Sequence, residues 1–326
     1  MDIRSLIDDG LELTVVGSFT SIGYRIRSRL YGWTVPEAGA LDGRTVLITG
    51  PTSGLGRAAT GALAALGARV ILVGRNRERL TSVRDQLTAE HGVDRFPIVV
   101  ADMSSLGSIR GAVARVLETE TRLDVLIDNA GAIYPERLEG PDGIEATLAT
   151  LVVGPFVLES GLLPLLERTA GSRIIAVTSG GMYTQRLHLD DLEWTSEPFS
   201  GPRAYARAKR AQVALAREWA RRLRGSGIAI NATHPGWADT PGLAEALPGF
   251  HAAMRPLLRT PAEGIDTLVW LATDPMATAT SGAVFLDRRP RPFDRVPSTR
   301  VPADERRRLW EIVVGLSGSA DPVPHA

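Results

Sequence analysis

Val46-Leu47-Ile48-Thr49-Gly50-Pro51-Thr52-Ser53-Gly54-Leu55-Gly56 is a short apolar strand running into a turn with three glycines. An alanine-rich stretch over about residues 57–66 follows and reads as a helix that closes at Gly67. After a strand and opening a helix, such glycines let the backbone approach a pyrophosphate, and the helix amino terminus offers it unpaired N–H groups. The bland alternative is a tight strand-to-helix turn with no ligand. No Gly-Lys-Ser/Thr follows the glycines, which excludes a P-loop.

Outward from this turn the pattern repeats. Strands are expected at 69–73, 96–101, 123–127, 174–177, 228–232 and 283–286, with helices between them near 77–90, 105–118, 143–167 and 262–272. Gly154-Pro155 and Pro164 must bend or shorten the helix at 143–167. Strands alternating with helices of ten to fifteen residues imply an α/β fold, a Rossmann-type doubly wound parallel sheet in three α/β/α layers, across residues 41–290. Residues 291–326 read as a Pro/Arg-rich extended connector and a short helix. In residues 1–40, Leu11, Val15, Phe19, Ile22, Ile26 and Leu30 recur at spacings of three and four, the stripe of an amphipathic helical extension. The expectation is that this stripe packs on the main domain; the sharper alternative is an interfacial membrane helix or a partner-docking element.

Composition removes several function classes. With 37 basic and 37 acidic residues there is no positive excess to neutralise nucleic-acid phosphates. Cysteine is absent, which excludes disulfides and thiol chemistry, and the five histidines lack metal-ligand spacing, so no metal is expected. Acids at Asp2, Asp8 and Asp9 argue against a signal peptide, and no apolar run is expected to reach the ~18–20 residues of a membrane span, so a soluble cytoplasmic protein is expected.

Two further features point to chemistry. Tyr205 and Lys209 are four apart, one turn above the other on a helix face, and Lys209 is the only lysine in the chain. A nearby ammonium favours the phenolate and should lower the phenol pKa. The second strand ends Leu72-Val73-Gly74-Arg75-Asn76, with no acid to bind a ribose 2′-hydroxyl, while Arg75 can pair with a 2′-phosphate. NADP(H) is the expected cofactor, with NAD left open.

Taken in order, Thr-Gly-x-x-x-Gly-x-Gly at 49–56, Asp-Asn-Ala-Gly at 128–131, Thr-Ser at 178–179 and Tyr-x-x-x-Lys at 205–209 resemble the short-chain dehydrogenase/reductase pattern across about residues 42–290. The segments 177–182, 234–242 and 19–24 resemble the branch called SDR family member 12. The resemblance implies that Tyr205 is the general acid/base, that Lys209 tunes it and holds the nicotinamide ribose, and that Ser179 orients the substrate carbonyl. It places Gly50, Ser53, Gly54, Leu55 and Gly56 along the cofactor phosphates and Asp102, with Met103 after it, beside the adenine. Asn129, Ala130 and Gly131 flank the cofactor where the sheet order reverses, and Pro235, Gly236 and Thr240 meet the nicotinamide side. The family also implies a small-molecule carbonyl or alcohol as substrate and a homo-oligomer.

One position departs. Three residues before Gly154, where the family carries an asparagine that helps hold a water between lysine and solvent, this chain has Leu151. The competing expectation is therefore an NADP(H)-binding sensor or scaffold with little turnover. Thr150 is a neighbouring candidate substitute, about 100° round an ideal helix. His234 reads as structural and Asp190-Asp191 as a loop cap. Leu243, Leu247, Phe250, Met254 and Leu257 form a candidate apolar lid, which would favour an apolar substrate; plain core packing is the alternative.

Overall fold

The structure, a computed structural model, describes residues 3–324, which leaves Asp2 and His325 outside it. Its first segment differs from expectation. Residues 3–30 form three helices, α1 (Ile3–Glu12), α2 (Val15–Phe19) and α3 (Ser21–Leu30). The helices also face the other way. Of the apolar stripe, Phe19 is buried, while Val15, Ile22 and Ile26 are 49%, 45% and 37% exposed; Asp8, Ser18 and Arg27 are buried instead. Charge decides this orientation. Arg27 donates to Asp8 at 2.6 Å, to Glu12 at 2.9 Å and to Asp287 at 2.7 Å, and Arg259 grips the same Asp287 at 2.6 and 2.9 Å. Apolar periodicity carries no information about partners this distant in sequence.

Beyond it lie strands β1 (Thr45–Thr49), β2 (Arg69–Gly74), β3 (Ile98–Val100), β4 (Val125–Asp128), β5 (Arg173–Val177), β6 (Ala229–Thr233), β7 (Val284–Leu286) and β8 (Arg289–Arg291). They form one sheet ordered β3-β2-β1-β4-β5-β6-β7-β8, parallel except for the β7–β8 pair. The unexpected β8 spans the boundary between the expected domain and its connector. It is reached through Asp287 and Arg288, at φ 56° and 55°, a left-handed turn made without glycine.

Helices follow in chain order: α4 (Gly54–Ala65), α5 (Arg77–His91), α6 (Leu106–Thr119), α7 (Ala146–Glu167), α8 (Gly201–Arg222), α9 (Pro241–Ala246), α10 (Pro248–Met254), α11 (Pro261–Thr273) and α12 (Ala303–Ser317). Successive strand residues point to opposite faces. Val46, Ile48, Val70 and Leu72 therefore pack under α4, α5 and α11, whereas Leu47, Ile71 and Val73 pack under α6, α7, α8 and α12. Trp310 fastens α12, its ring 4.6 Å from that of Trp219 and 5.0 Å from that of Phe156, edge-on to both.

By length and composition α7 could cross a bilayer, which corrects the sequence reading; 83% of its apolar window is buried here, as in a core helix. Pro155 lacks the N–H that a regular helix needs. The chain accommodates it with a π turn over Ala149–Val153, in which Gly154 N–H bonds back to the carbonyl of Ala149.

Candidate active site

The strand order reverses between β1 and β4, and the carboxyl ends of these strands open a cleft there. Thr49 Oγ1 accepts the N–H groups of Asn129 (3.0 Å) and Ala130 (2.9 Å), while Asn129 Nδ2 donates to the carbonyls of Thr49 (2.9 Å) and Gly50 (3.2 Å). The end of β4 thus staples the glycine turn. A Cβ on Gly56 would lie 2.0 Å from the Gly50 carbonyl oxygen and 2.5 Å from Asn129 Nδ2, so only glycine fits. The bare backbone and the α4 amino terminus make a cradle that suits a pyrophosphate.

Arg75 lies exposed at the end of β2 and lines the same cleft. Asn76 caps α5 by accepting the Arg79 N–H at 2.8 Å, and Arg79 lines the cleft too, a second cation that sequence reading missed. Asp102 turns its carboxylate onto Ser104, accepting its N–H at 2.9 Å and its hydroxyl at 2.7 Å; buried Met103 follows.

On the opposite wall, α8 carries Tyr205 and Lys209. Ser179 and Tyr205 line the cleft together. Lys209 Nζ, fully buried, donates to the Val177 carbonyl at 2.7 Å and to Gln212 Oε1 at 3.1 Å. Its nitrogen stands 5.7 Å from the Tyr205 ring centroid. The expected lowering of the phenol is not found here. Burial pushes Tyr205 up to about 12, with only the Ser179 side chain pulling it down. Burial likewise drives Lys209 down to about 7, and the charge of Asp128 is what raises it.

Leu151 sits in the π turn, wholly buried, and does not line the cleft; Thr150 does, with its hydroxyl 3.4 Å from that of Tyr134. A Cβ on Gly131 would meet Leu151 Cδ2 at 3.0 Å and Lys209 Nζ at 4.0 Å, which sets both side chains beside that glycine.

Past Tyr205 the wall is built from distant segments. Thr240 caps α9 by accepting the Leu243 N–H at 3.2 Å. Gly236, at φ 74°, leaves room for Arg259, whose Nε would lie 2.2 Å from a Cβ there. His234 is buried, accepts the Gly236 N–H on Nδ1 at 3.0 Å and meets the Phe19 ring edge-on at 4.4 Å. Burial, then the Arg259 charge, pushes it down to about 3, so it is neutral. Trp237, Leu243, Leu247 and Phe250 line the cleft from the lid segment; Met254 and Leu257 do not. Helices α9 and α10 contain no buried residue, so this segment is not ordinary core. Leu13, Val15 and Phe19 of the extension, with Arg295 and Val296 of the connector, complete the wall; apolar spacing marked Val15 and Phe19 as part of a stripe but did not place them at the cleft.

All the cofactor-side and catalytic residues proposed from sequence line this one cleft: Gly50, Ser53, Gly54, Leu55, Gly56, Arg75, Asp102, Met103, Asn129, Ala130, Gly131, Ser179, Tyr205, Lys209, Pro235, Gly236 and Thr240. Its volume, about 1370 Å³, exceeds the ~300–1,000 Å³ of a pocket for one drug-sized ligand, leaving room for an extended cofactor and a second molecule.

The sequence profile of the short chain dehydrogenases matches residues 44–249. A Bos taurus protein named dehydrogenase/reductase SDR family member 12 is 37% identical over 305 residues, covering 92% of this chain and 94% of its own length. Homo sapiens retinol dehydrogenase 14 is 34% identical over 304 residues, covering 86% of this chain and 89% of its own. Among solved structures, a short chain dehydrogenase from Escherichia coli CFT073 complexed with NADPH superposes with a TM-score of 0.64 at 25% identity, over 78% of this chain and 100% of that one. The chain belongs to the short-chain dehydrogenase/reductase family, on the SDR family member 12-like side of it, and is an oxidoreductase with an NAD(P)-binding Rossmann fold.

Proposed function

We propose that this dehydrogenase interconverts a carbonyl and an alcohol on an apolar small molecule with NADP(H), and that Tyr205 moves the proton. The observation that carries the reading is that Ser179, Tyr205 and Lys209 line one cleft where a glycine cradle meets an apolar wall. When bound, the cofactor supplies or accepts the hydride. Ser179 orients the substrate oxygen, and Tyr205 gives it a proton in reduction or takes one in oxidation. Lys209, its nitrogen 5.7 Å from the Tyr205 ring centroid, holds the nicotinamide ribose beside the phenol. Arg75 and Arg79 are placed to favour a 2′-phosphate, and Trp237, Phe250 and Leu13 to exclude water from an apolar substrate. A relative named for retinol, an alcohol, is in keeping with this.

Mixing the protein with NADPH and a panel of apolar aldehydes and ketones should consume nicotinamide absorbance, and Tyr205→Phe should lower turnover by about 10²–10⁴ without weakening NADPH binding. Tight NADPH binding with no turnover on any carbonyl would instead support a sensor or scaffold.

The extension supports a second reading, a bilayer-docking face. Ile3, Leu6 and Ile7 share the outward face of α1, and Ile22 and Ile26 alternate with Arg25 and Arg29 on the outward face of α3. Apolar anchors interleaved with arginines suit an anionic membrane surface, and Leu13 and Val15 join this face to the cleft mouth. The protein should float with phosphatidylserine-containing vesicles and fail to do so as Ile22→Asp/Ile26→Asp. Absence of flotation, with self-association that the same substitutions abolish, would assign the face to a second copy.

A further inference from the structure

One cation stands in the wall that otherwise suits an apolar molecule. Arg295, in the connector after β8, lines the cleft at the end built by the extension and the connector. Its guanidinium carbon lies 4.9 Å from the ring centroid of Phe19 and 4.9 Å from that of Tyr183. These rings lead back to the reacting groups. A Cβ on Gly180, the residue after Ser179, would lie 2.9 Å from Phe19 Cε2. A single aromatic ring thus separates the Arg295 guanidinium from the backbone beside Ser179.

The guanidinium is short of negative charge. Asp287 is held by Arg27 and Arg259, and Asp8 by Arg27, Arg289 and Arg291. Arg295 meets Glu12, which already accepts from Arg27 at 2.9 Å and from the Ser18 hydroxyl at 2.8 Å. The linked cluster therefore sets five arginines against three carboxylates, and Arg295 is the arginine of it that lines the cleft. Nearby Asp294 is spent on Arg210, and Asp9 is exposed, where water and salt screen it. Arg295 Nε meets no hydrogen-bond acceptor among the described residues. A guanidinium presents its N–H donors in a planar fork that matches a carboxylate.

We propose that Arg295 receives a carboxylate carried by the substrate at the end remote from the carbonyl or alcohol that reacts. The substrate class is then an apolar oxo or hydroxy acid, with its reacting oxygen at Ser179 and Tyr205, its body along Phe19 and its carboxylate on Arg295. This deepens the hydride-transfer reading and rests on it for the reacting end alone. A carboxylate makes two parallel charge-assisted bonds to a guanidinium, and aromatic walls screen such a pair less than water does. Glu12 competes for the same guanidinium and limits how tightly an acid is held.

Binding and turnover test the two ends separately. Calorimetry on the NADPH-loaded protein should show decanoic acid bound more tightly than methyl decanoate by roughly ten- to a hundredfold, the worth of a charge-assisted hydrogen bond. Arg295→Met should abolish that preference. In turnover, the same substitution should raise KM for ω-oxodecanoic acid by a similar factor, with kcat and the KM of its methyl ester held. Glu12→Gln keeps an oxygen for Arg27 and Ser18 but removes the competing charge, so it should tighten decanoic acid severalfold, a gain that a purely structural Arg295 would not give. Equal binding of acid and ester by the unsubstituted protein overturns the proposal, and that measurement needs no variant to fold. An acid preference that survives Arg295→Met overturns it too. Acid binding that depends on Arg295, with no turnover of any carbonyl, would sink the hydride-transfer reading and leave the carboxylate site standing; equal turnover and equal binding of acids and esters would do the reverse.

Discussion

The cradle around Gly50 and Gly56 is made by strands and the turns that leave them, whereas the wall beyond Tyr205 joins Leu13, Trp237 and Arg295 from three remote parts of the chain. Main-chain hydrogen bonds and the absence of side chains shape the first; Asn129 reaches two carbonyls and Gly56 yields its space. Buried charge shapes the second. Burial alone would raise Asp287, but the Arg259 and Arg27 guanidiniums outweigh it and hold the carboxyl below its usual range. One half therefore depends on the side chains it lacks and the other on the buried charges it holds.

The largest expected effect separates the halves directly. Asp287→Asn takes from buried Arg259 its carboxylate partner, while Arg27 keeps Asp8 and Glu12, which should cost about 3–5 kcal/mol. Thermal denaturation should show that loss, limited proteolysis should cut residues 13–35 first, and KM for apolar carbonyls should rise while NADPH affinity holds. A parallel loss of NADPH affinity would show that the halves are not independent. The smaller effect lies on the cradle side. Arg75→Ala with Arg79→Ala should weaken NADPH binding by roughly ten- to a hundredfold, at ~1.5–3 kcal/mol for a charge-assisted hydrogen bond, and leave NADH binding and the docked extension unaltered. Equal loss for both cofactors would remove the 2′-phosphate assignment.

The same contrast explains what the sequence disclosed. The glycine turn, the buried apolar strands and Tyr205 above Lys209 are local patterns, and each of them stands where its spacing put it. Arg79 was not legible from spacing, because Arg75 precedes the Asn76 cap and lies outside the helix that carries Arg79. The three-helix extension, its reversed face and β8 were not legible, because Arg27, Asp8 and Asp287 look like solvated charges until the fold closes them together. The π turn at Ala149–Val153 was visible only as a proline that had to be accommodated. Asp128 was read only as part of a cofactor motif, and its burial could not be seen from the motif.

Arg27 and Asp287 are 260 positions apart. During synthesis the arginine emerges long before its partner, and the pair can close only once β7 and the turn after it exist. Domains assemble from the amino terminus as the chain lengthens, but α1–α3 must wait, their charges solvated, until nearly the last strand is laid down. The part of the chain made first is set in place last.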